Sequence, residues 1–388
     1  MKIAMIGQKG IPAKFGGVER HVEELALRLV KLGHQVTVYT RSHYTNPQRK
    51  KYRGINLVNI KTIPTKHLDA ITHTFFCSLD AIHKDFDIIH YHAVGPSLMA
   101  FIPRILKPKV KVVATFHCID RKHQKWNRFA QMMLRAGEWT AVNFPHITIC
   151  VSQTLQRYVR RSYHRSAVYI PNGVSEPHKA KTDSDIKKKF GLEKNKYLVV
   201  VTRLVRHKGV HHLIKAFRKS NTGMKLAIVG GSFFTDKYFA YLRKLAEGDN
   251  RIVFTGFQSG KMLNQLFSNA YLFVHPSEAE GLPISVLEAG SFGLCILCSD
   301  IPENKEIIKQ KMMDIGFTFR NKSVRDLGRK MEYLLKTPNA VNIKKKLVKK
   351  TILKEFNWDQ IARKTSSMYQ EICEDTGDLA LQKVKVFK

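Results

Sequence analysis

Short apolar runs alternate with longer stretches of helical spacing along this chain, and the alternation occurs twice. In the first half, the Val- and Ile-rich runs of strand length are Lys2–Ile6, Gln35–Tyr39, Asn56–Ile60, Ile88–His90, Val110–Phe116 and Ile147–Val151. In the second half, they are Tyr197–Thr202, Lys225–Val229, Arg251–Thr255, Leu272–His275 and Leu294–Ser299. Strand–helix alternation is typical of a parallel sheet covered by helices on both faces. The chain is therefore predicted to be an α/β protein with two Rossmann-like domains.

A turn signal at Pro171-Asn172-Gly173 separates the two series. The polar, lysine-rich residues 175–196 that follow are read as a linker with a short helix. The predicted domains are 1–173 and 174–388, with their parallel sheets facing each other across an interdomain cleft. Residues 351–372 have the spacing of a terminal helix, which is expected to pack back on the first domain.

The balance of charge is unusual. Lys and Arg outnumber Asp and Glu by 66 to 31 in 388 residues, which gives a net charge of +35. A chain this basic favours polyanions, phosphate-rich ligands or anionic lipid surfaces. The cysteines are scattered, and the pair Cys295 and Cys298 lies in an apolar run, which favours buried thiols in a reducing cytoplasm. No apolar run reaches the about 18 residues of a membrane span, and Ile3–Ile6 is too short for a signal peptide, so neither a span nor export is predicted.

A basic loop follows the first strand of the second series. Arg203 and Lys208 lie in Thr202–Gly209, at the carboxyl end of a predicted parallel strand, where open α/β sheets bind ligands. A guanidinium fork and an ammonium point charge together suit a diphosphate. The alternative is a solvated basic loop.

A pair of glutamates follows the strand Leu272–His275. Glu280 and Glu288 are eight residues apart, and a helix that begins near Pro283 would place Glu288 in its second turn. Glu280 would then stay in the loop above the helix N-terminus, near free backbone amides. A loop carboxylate, free backbone amides and a helical carboxylate can together hold the sugar, the phosphate and the ribose. Either glutamate alone is more simply interpreted as an exposed charge.

The first loop of the chain is rich in glycine, and Gly16 and Gly17 stand where a helix begins. Glycine lets the backbone approach a ligand, and a helix N-terminus favours an anion. The spacing fits neither a dinucleotide fingerprint nor a Walker A loop, so a plain tight turn is the alternative.

Histidines follow two strands of the first series. His90 and His92 come after Ile88-Ile89, and His117 follows Val110–Phe116. We expect His117 to donate a hydrogen bond to a bound sugar, with a structural role as the alternative. The spacing matches no compact metal motif, so no metal site is predicted.

Across essentially its whole length, the chain resembles the retaining glycosyltransferases of family 4, which have the GT-B fold. The features that carry the resemblance are the Gly-rich first loop, Thr115-Phe116-His117, Ile170–Val174, Arg203 with Lys208-Gly209, and Glu280 with seven residues before Glu288. Ile6–Pro12, Gly16–Glu19, Lys125-Trp126 and Gly137-Glu138 are similar to the bacterial rhamnosyltransferase-like subgroup.

The resemblance implies a role for each matching residue. Arg203 and Lys208 would bind the donor diphosphate, Glu288 the ribose, and Glu280 and His117 the donor sugar. The remaining residues implied at the donor site are Gly16, Gly17, Gly281 and Leu282. Cys118 and Leu282-Pro283 depart from the common family pattern beside the donor pocket, so they bear on the choice of sugar.

The resemblance also implies a reaction. A hexose, rhamnose being one candidate, would pass from a nucleoside-diphosphate sugar to a glycan or lipid-linked acceptor of bacterial surface polysaccharide, with retained configuration. Neither metal nor cofactor is expected, because the basic pair replaces a metal at the diphosphate. The expected location is cytoplasmic, peripheral on the inner face of the membrane.

A basic stretch within 101–173 gives a separate reason to expect a membrane surface. Trp126, Phe129, Met133 and Gly137 share one predicted helical face, with Lys122, Lys125, Arg128 and Arg135 around it. Such a helix can lie on an anionic bilayer, and the alternative is an ordinary helix that faces the core. Rival functions are a sugar-nucleotide epimerase or phosphorylase of the same fold, and a nucleic-acid-binding protein. The last is disfavoured because no zinc finger, helix-turn-helix or RNP signature accompanies the charge.

Overall fold

The computed structural model describes residues 1–63, 65, 68–122, 128–232, 236–310 and 313–374. The chain folds into two compact units. The first unit contains Met1–Gly173 and the chain from Trp358 on, and the second contains Val174–Asn357.

The first unit is built on an eight-stranded sheet. Its strands are β1 (Lys2–Ile6), β2 (Gln35–Arg41), β3 (Lys51–Tyr52), β4 (Ile55–Ile60), β5 (Ile88–His92), β6 (Lys111–Phe116), β7 (Ile147–Cys150) and β8 (Val168–Tyr169). Its helices are α1 (Gly17–Lys31), α2 (Leu68–Ile82), α3 (Val94–Ser97), α4 (Phe101–Leu106), α5 (Arg128–Asn143), α6 (Gln153–Tyr163) and, at the end of the chain, α15 (Trp358–Glu374). The strand order is β3-β4-β2-β1-β5-β6-β7-β8, and only the β3–β4 pair is antiparallel.

The central strand of this sheet is β1, with β2 on one side and β5 on the other. Ile3 of β1 pairs with Val36 of β2 and with Ile88 of β5. The connections after β1 and β5 therefore leave the same edge of the sheet at the point where the strand order reverses. In open α/β sheets, this point is the usual place for a ligand.

The second unit is built on a six-stranded parallel sheet. Its strands are β9 (Tyr197–Val201), β10 (Lys225–Val229), β11 (Ile252–Gly256), β12 (Leu272–His275), β13 (Cys295–Ser299) and β14 (Phe317–Phe319). Its helices are α7 (Ser184–Phe190), α8 (Val210–Arg218), α9 (Asp236–Ala246), α10 (Gly260–Asn269), α11 (Ile284–Ser291), α12 (Pro302–Ile308), α13 (Val324–Lys336) and α14 (Pro338–Glu355). The order β11-β10-β9-β12-β13-β14 is that of a dinucleotide-binding fold, and it reverses between β9 and β12. Both units thus have the predicted α/β architecture.

The structure corrects two element predictions. Strand β5 continues through His92, so His90 and His92 lie inside the strand rather than after it, and both side chains are buried. The predicted helix 351–372 is two helices, because α14 ends at Glu355 and α15 begins at Trp358. Between them, the backbone of Asn357 pairs with Val174 as a β-bridge, and the Val174 amide donates to the Phe356 carbonyl at 2.7 Å.

Helix α15 completes the hydrophobic core of the first unit. It packs on α1, and its buried side chains Trp358, Ile361, Met368 and Tyr369 join the cluster that surrounds β1. The domain prediction described this helix as returning to the first domain. By its contacts, it is a structural part of that unit.

Candidate active site

In the second unit, backbone contacts join the loops that follow β9 and β12. The Glu278 amide donates to the His207 carbonyl at 2.7 Å, and the Ser277 hydroxyl donates to the same oxygen at 3.3 Å. Gly209 has φ of +68°, and a Cβ there would lie 1.9 Å from the Pro276 carbonyl oxygen. Only glycine fits this conformation and this distance, so the approach of the two loops is encoded in the sequence.

Lys208 and Glu280, predicted as separate ligands, form an ion pair. Lys208 Nζ lies 2.5 Å from Glu280 Oε1, and His275 Nε2 lies 3.0 Å from the same oxygen. The Glu280 side chain is 8% exposed. Burial alone raises the pKa of this carboxyl, but the charge of Lys208 and the hydrogen bond from His275 outweigh burial and hold the pKa well below its usual range. The site therefore keeps an ionised carboxylate whose Oε1 is held by two partners.

Arg203 lies at the start of the same loop, with its side chain exposed. Within the part of the chain that the structure describes, the guanidinium makes no hydrogen bond or ion pair. Lys208 has three N–H donors, and Glu280 is its recorded acceptor. Both cations can therefore still donate to an anion that reaches this edge of the sheet.

Helix α11 begins at Ile284, directly after Pro283, and Glu288 lies in its second turn with a half-buried side chain. No side chain caps the N-terminus of α11. Gly281 and Leu282 are buried in the loop between Glu280 and this helix. The second unit thus brings the predicted donor residues that it contains, Arg203, Lys208, Glu280, Gly281, Leu282 and Glu288, to one edge of its sheet.

Sequence reasoning missed Glu278, which has its own set of partners. Its Oε1 lies 3.1 Å from His212 Nε2, and its Oε2 lies 3.3 Å from Lys322 Nζ. The hydrogen bond from His212 and the charge of Lys322 hold the pKa of Glu278 below its usual range. His211, His212 and Glu278 are close enough to share a metal ion, but the Lys322 ammonium already neutralises the carboxylate there.

In the first unit, side chains pin the glycine-rich loop after β1. Glu19 Oε1 accepts from the Lys9 amide at 3.2 Å, and Glu23 Oε2 accepts from the Ala13 amide at 2.9 Å. The Tyr44 hydroxyl accepts from two further amides of this loop. Gly16 has φ of +106°, and a Cβ there would lie 1.9 Å from Glu19 Oε2. The carboxylate of Glu19 therefore lies against Gly16, where α1 begins at Gly17.

Four histidines form a buried cluster beside this loop. His117 Nε2 lies 3.3 Å from His92 Nδ1, and the rings of His117 and His21 are 4.8 Å apart. His21 Nδ1 donates to Asn172 Oδ1 at 2.9 Å. His90 hydrogen-bonds to the Tyr369 hydroxyl at 2.6 Å, which ties the cluster to α15.

Burial keeps these imidazoles neutral. It lowers the pKa of His21 to about 4 and that of His90 to about 3, from an ordinary value of 6.5. Burial and the neighbouring imidazoles also hold the pKa of His92 and of His117 well below that value. His21, His92 and His117 offer nitrogens within 4.8 Å of one another, and among the residues described here His92 Nε2 has no partner. Among the described residues of the first unit, these three are the group that could hold a metal ion.

His275, His21 and Asn172 were not predicted as site residues. The only sequence signal for His275 is a histidine at the end of an otherwise apolar strand, Leu272–His275. His21 lies one helical turn after Gly17, and Asn172 lies in the turn that separates the two predicted domains. Strand order and helix placement bring His21 to Asn172 in the first unit and His275 to Glu280 in the second, and spacing along the chain does not encode either contact.

The predicted membrane helix is only partly described. Residues 123–127, which include Trp126 and Lys125, lie outside the described residues, as do the side chains of Lys122, Arg128 and Phe129. A Cβ on Gly137 would lie 2.4 Å from the Val94 carbonyl oxygen. The face of α5 that carries Gly137 therefore packs on α3, which favours the alternative of a core-facing helix at this position. In the described part of the chain, no helix is long and apolar enough to cross a membrane.

Two family models, one for each half of the sequence, together match almost the whole chain. The family described as Glycosyl transferases group 1 matches residues 182–365, and Glycosyltransferase Family 4 matches residues 15–176. The fold and the matched models define a glycosyltransferase. More narrowly, the two matches support a glycosyltransferase of the family 4 type, which agrees with the family resemblance. The rhamnosyltransferase-like subgroup stays a prediction.

Individual relatives agree with this class. An uncharacterized glycosyltransferase of Methanocaldococcus jannaschii is 26% identical, over 97% of this chain and 100% of its own. The gpi3 subunit of the Schizosaccharomyces pombe phosphatidylinositol N-acetylglucosaminyltransferase is 22% identical, over 96% of this chain and 81% of its own. Anabaena HepE, solved in complex with UDP and glucose, superposes with a TM-score of 0.80 at 19% identity, over 96% of this chain and 100% of that one. The likeness to HepE shows the GT-B fold.

Proposed function

We propose that this enzyme transfers a hexose from a nucleoside-diphosphate sugar to a lipid-linked glycan acceptor, with retention of configuration. The observation that carries the proposal is the edge of the second sheet, where the loop with Arg203 and Lys208 meets the Glu280 carboxylate, which Lys208 and His275 hold ionised. UDP and glucose are bound by HepE, a protein of the same fold, which supports a nucleotide sugar as the donor.

The chemistry follows from the charges at this edge. As the bond between the anomeric carbon and the diphosphate breaks, negative charge develops on the leaving phosphate, and Arg203 and Lys208 stabilise it. Glu280, fixed as an acceptor by Lys208 and His275, takes a hydrogen bond from a hydroxyl of the donor sugar. Glu288 accepts from the ribose. The leaving diphosphate takes the proton of the attacking acceptor hydroxyl, which then bonds to the same face of the sugar. His117 as a donor-sugar contact stays a prediction.

The acceptor and the setting are proposed on wider grounds. The S. pombe relative is named for transfer to phosphatidylinositol, which supports a lipid-linked acceptor. The net charge of +35 suits an anionic membrane surface rather than nucleic acid, for which the sequence carries no recognition motif. We propose assembly of bacterial surface polysaccharide at the cytoplasmic face of the membrane, with rhamnose as one candidate sugar.

The test is a donor screen that scores released nucleoside diphosphate, repeated with Arg203→Ala. Loss of a charge-assisted phosphate contact should lower turnover about 10- to 100-fold. Arg206→Ala is the matched control, because Arg206 is an exposed arginine of the same loop and has no assigned role. Equal turnover in both variants would refute the diphosphate assignment. An epimerised nucleotide sugar formed from donor alone would identify an epimerase instead.

Lys208→Ala needs a second measurement. It removes the cation that faces a nearly buried carboxylate, and an uncompensated buried charge typically costs about 3–5 kcal/mol of stability. Its loss of activity is therefore interpretable only alongside a thermal melt. Arg203→Ala is the cleaner probe, since the Arg203 side chain is exposed.

We also propose that transfer needs no metal, because two cations already face the diphosphate. Turnover should then persist in excess EDTA. A loss that magnesium or manganese restores would overturn this proposal. A loss that only zinc restores would point to the His21, His92 and His117 cluster as a metal site.

A further inference from the structure

Helix α2 in the first unit has an inverted distribution of polar and apolar side chains. Its core-facing side chains are small or polar, namely His73, Thr74, Cys77, Ser78 and Ala81. Its exposed side chains include Leu68, Phe75 and Phe76. A surface helix of a soluble domain normally turns its apolar side to the core. The exposed side of α2 therefore favours contact with another apolar surface.

Two more helices extend this surface. Helix α4 packs on α2 and exposes Phe101, Ile105 and Leu106, the last two at 63%. The Phe101 ring is 6.0 Å from that of Phe144, which is 5.7 Å from the ring of Trp139 on α5. Trp139 is 51% exposed. We call the set Leu68, Phe75, Phe76, Phe101, Ile105, Leu106 and Trp139 the apolar face. Large exposed apolar side chains gathered on neighbouring helices usually mark an interaction site.

The charges around the apolar face are basic. Arg104 and Lys109 lie in and just after α4, which contains no acidic residue, and Arg135 is exposed on α5. The one acidic residue of α5, Glu138, is fully buried and is held by Arg121, Tyr158 and Tyr163. On α2, Asp69 pairs with Arg41, and Asp80 pairs with Lys84. The surface that α4 and α5 present is therefore apolar and cationic.

We propose that the apolar face docks on an anionic lipid bilayer, with its side chains in the interface and none of its helices crossing the membrane. The cations complement anionic headgroups, and the aromatic and aliphatic side chains suit the interfacial region. A symmetric contact with a second copy is disfavoured, because it would bring Arg104 and Arg135 against the same cations of the partner. The inference rests on the proposed function, since it supplies the place where a lipid-linked acceptor is met.

The test is flotation of the full-length protein with vesicles of equal parts phosphatidylglycerol and phosphatidylcholine, compared with pure phosphatidylcholine. The double variant Ile105→Ser/Leu106→Ser should bind at least about tenfold more weakly than wild type. Arg104→Glu/Arg135→Glu should lose the preference for anionic vesicles. The matched control is Phe257→Ser/Ile343→Ser, at two exposed apolar positions of the second unit (46% and 59%), which should bind like wild type.

A spectroscopic arm tests the geometry without reference to activity. Brominated lipids should quench the tryptophan fluorescence of the bound protein, and Trp139→Phe should remove most of that quenching.

Several results would overturn the proposal: equal binding to neutral and anionic vesicles, wild-type binding by the Ile105→Ser/Leu106→Ser variant, or a dimer in solution that this variant abolishes. Donor hydrolysis without vesicles separates the two proposals. If hydrolysis fails while vesicle binding follows the variants, the proposed function is wrong and the docking face stands. If hydrolysis is normal in all variants and vesicle binding is absent, the docking face alone is wrong.

Discussion

A buried imidazole that cannot take a proton couples the stability of its unit to pH. The four clustered histidines of the first unit are such groups, and burial lowers the pKa of His21 to about 4. In the unfolded chain, these histidines bind protons as the pH falls through their ordinary pKa of 6.5. In the folded unit, they bind protons only at a much lower pH. Stability contributed by the neutral cluster is therefore fully present above pH 6.5 and is lost as the pH falls toward the folded pKa values.

We predict that the free energy of unfolding of the first unit falls steeply between pH 7 and pH 5. His21 alone should contribute about 2 kcal/mol of that loss at pH 5. Urea titrations monitored by tryptophan fluorescence can follow the first unit selectively, since all three tryptophans of the chain fall within it. His21→Gln should flatten the pH dependence, and His83→Gln, at an exposed histidine, should leave it unchanged. A first unit whose stability is constant across this range would contradict the prediction.

At the scale of residues, the sequence predicted which side chains lie at the candidate site better than it predicted which of them contact each other. Arg203, Lys208, Glu280 and Glu288 were assigned to one site because they follow strands of a parallel sheet, and the second unit brings them to one edge. The Lys208–Glu280 ion pair was not foreseen, because it depends on β9 and β12 being neighbours in the sheet. His275 was missed for the same reason.

At the scale of elements, strands that are buried on both faces were predictable from the sequence. The runs Lys2–Ile6, Lys225–Val229 and Leu272–His275 match β1, β10 and β12 residue for residue. The short strands β3, β8 and β14 were not predicted, because two or three residues at or near a sheet edge leave no periodic pattern. The break between α14 and α15 was also missed, since tertiary pairing of Asn357 with Val174 determines it.

Close packing of α5 on α3 gives a prediction at this scale. Gly137→Ala should destabilise the first unit by about 1–3 kcal/mol, because the new methyl group would overlap the Val94 carbonyl and force the helices apart. Gly95→Ala is the matched control on the facing helix, where the nearest atom to a Cβ, in Leu134, is 4.0 Å away. Chemical denaturation compares the two variants. A Gly137→Ala protein as stable as Gly95→Ala would show that this contact does not limit the packing.

At the scale of the whole molecule, the chain leaves the first unit at Gly173 and returns to it at Trp358. These two residues touch so closely that a Cβ on Gly173 would lie 2.6 Å from the Trp358 ring. The indole also packs at 5.3 Å from the ring of His21 on α1. A segment near the end of the sequence therefore completes a core that the first residues of the chain begin. This arrangement makes the first unit discontinuous in sequence and ties its stability to α15.

We predict that Trp358→Ala destabilises the first unit alone, by about 3–5 kcal/mol, the usual cost of truncating a buried aromatic side chain. Hydrogen exchange resolved by peptide measures this directly. Amides of β1, α1 and α15 should exchange faster, because they surround the lost indole, while those of β9 and β12 should keep their protection, because their core contains no residue of α15. Trp139→Ala, at a half-exposed tryptophan, is the control and should change exchange little. Equal loss of protection in both units would mean that they unfold as one cooperative body, and protection unchanged in α1 would mean that α15 is not part of the first core.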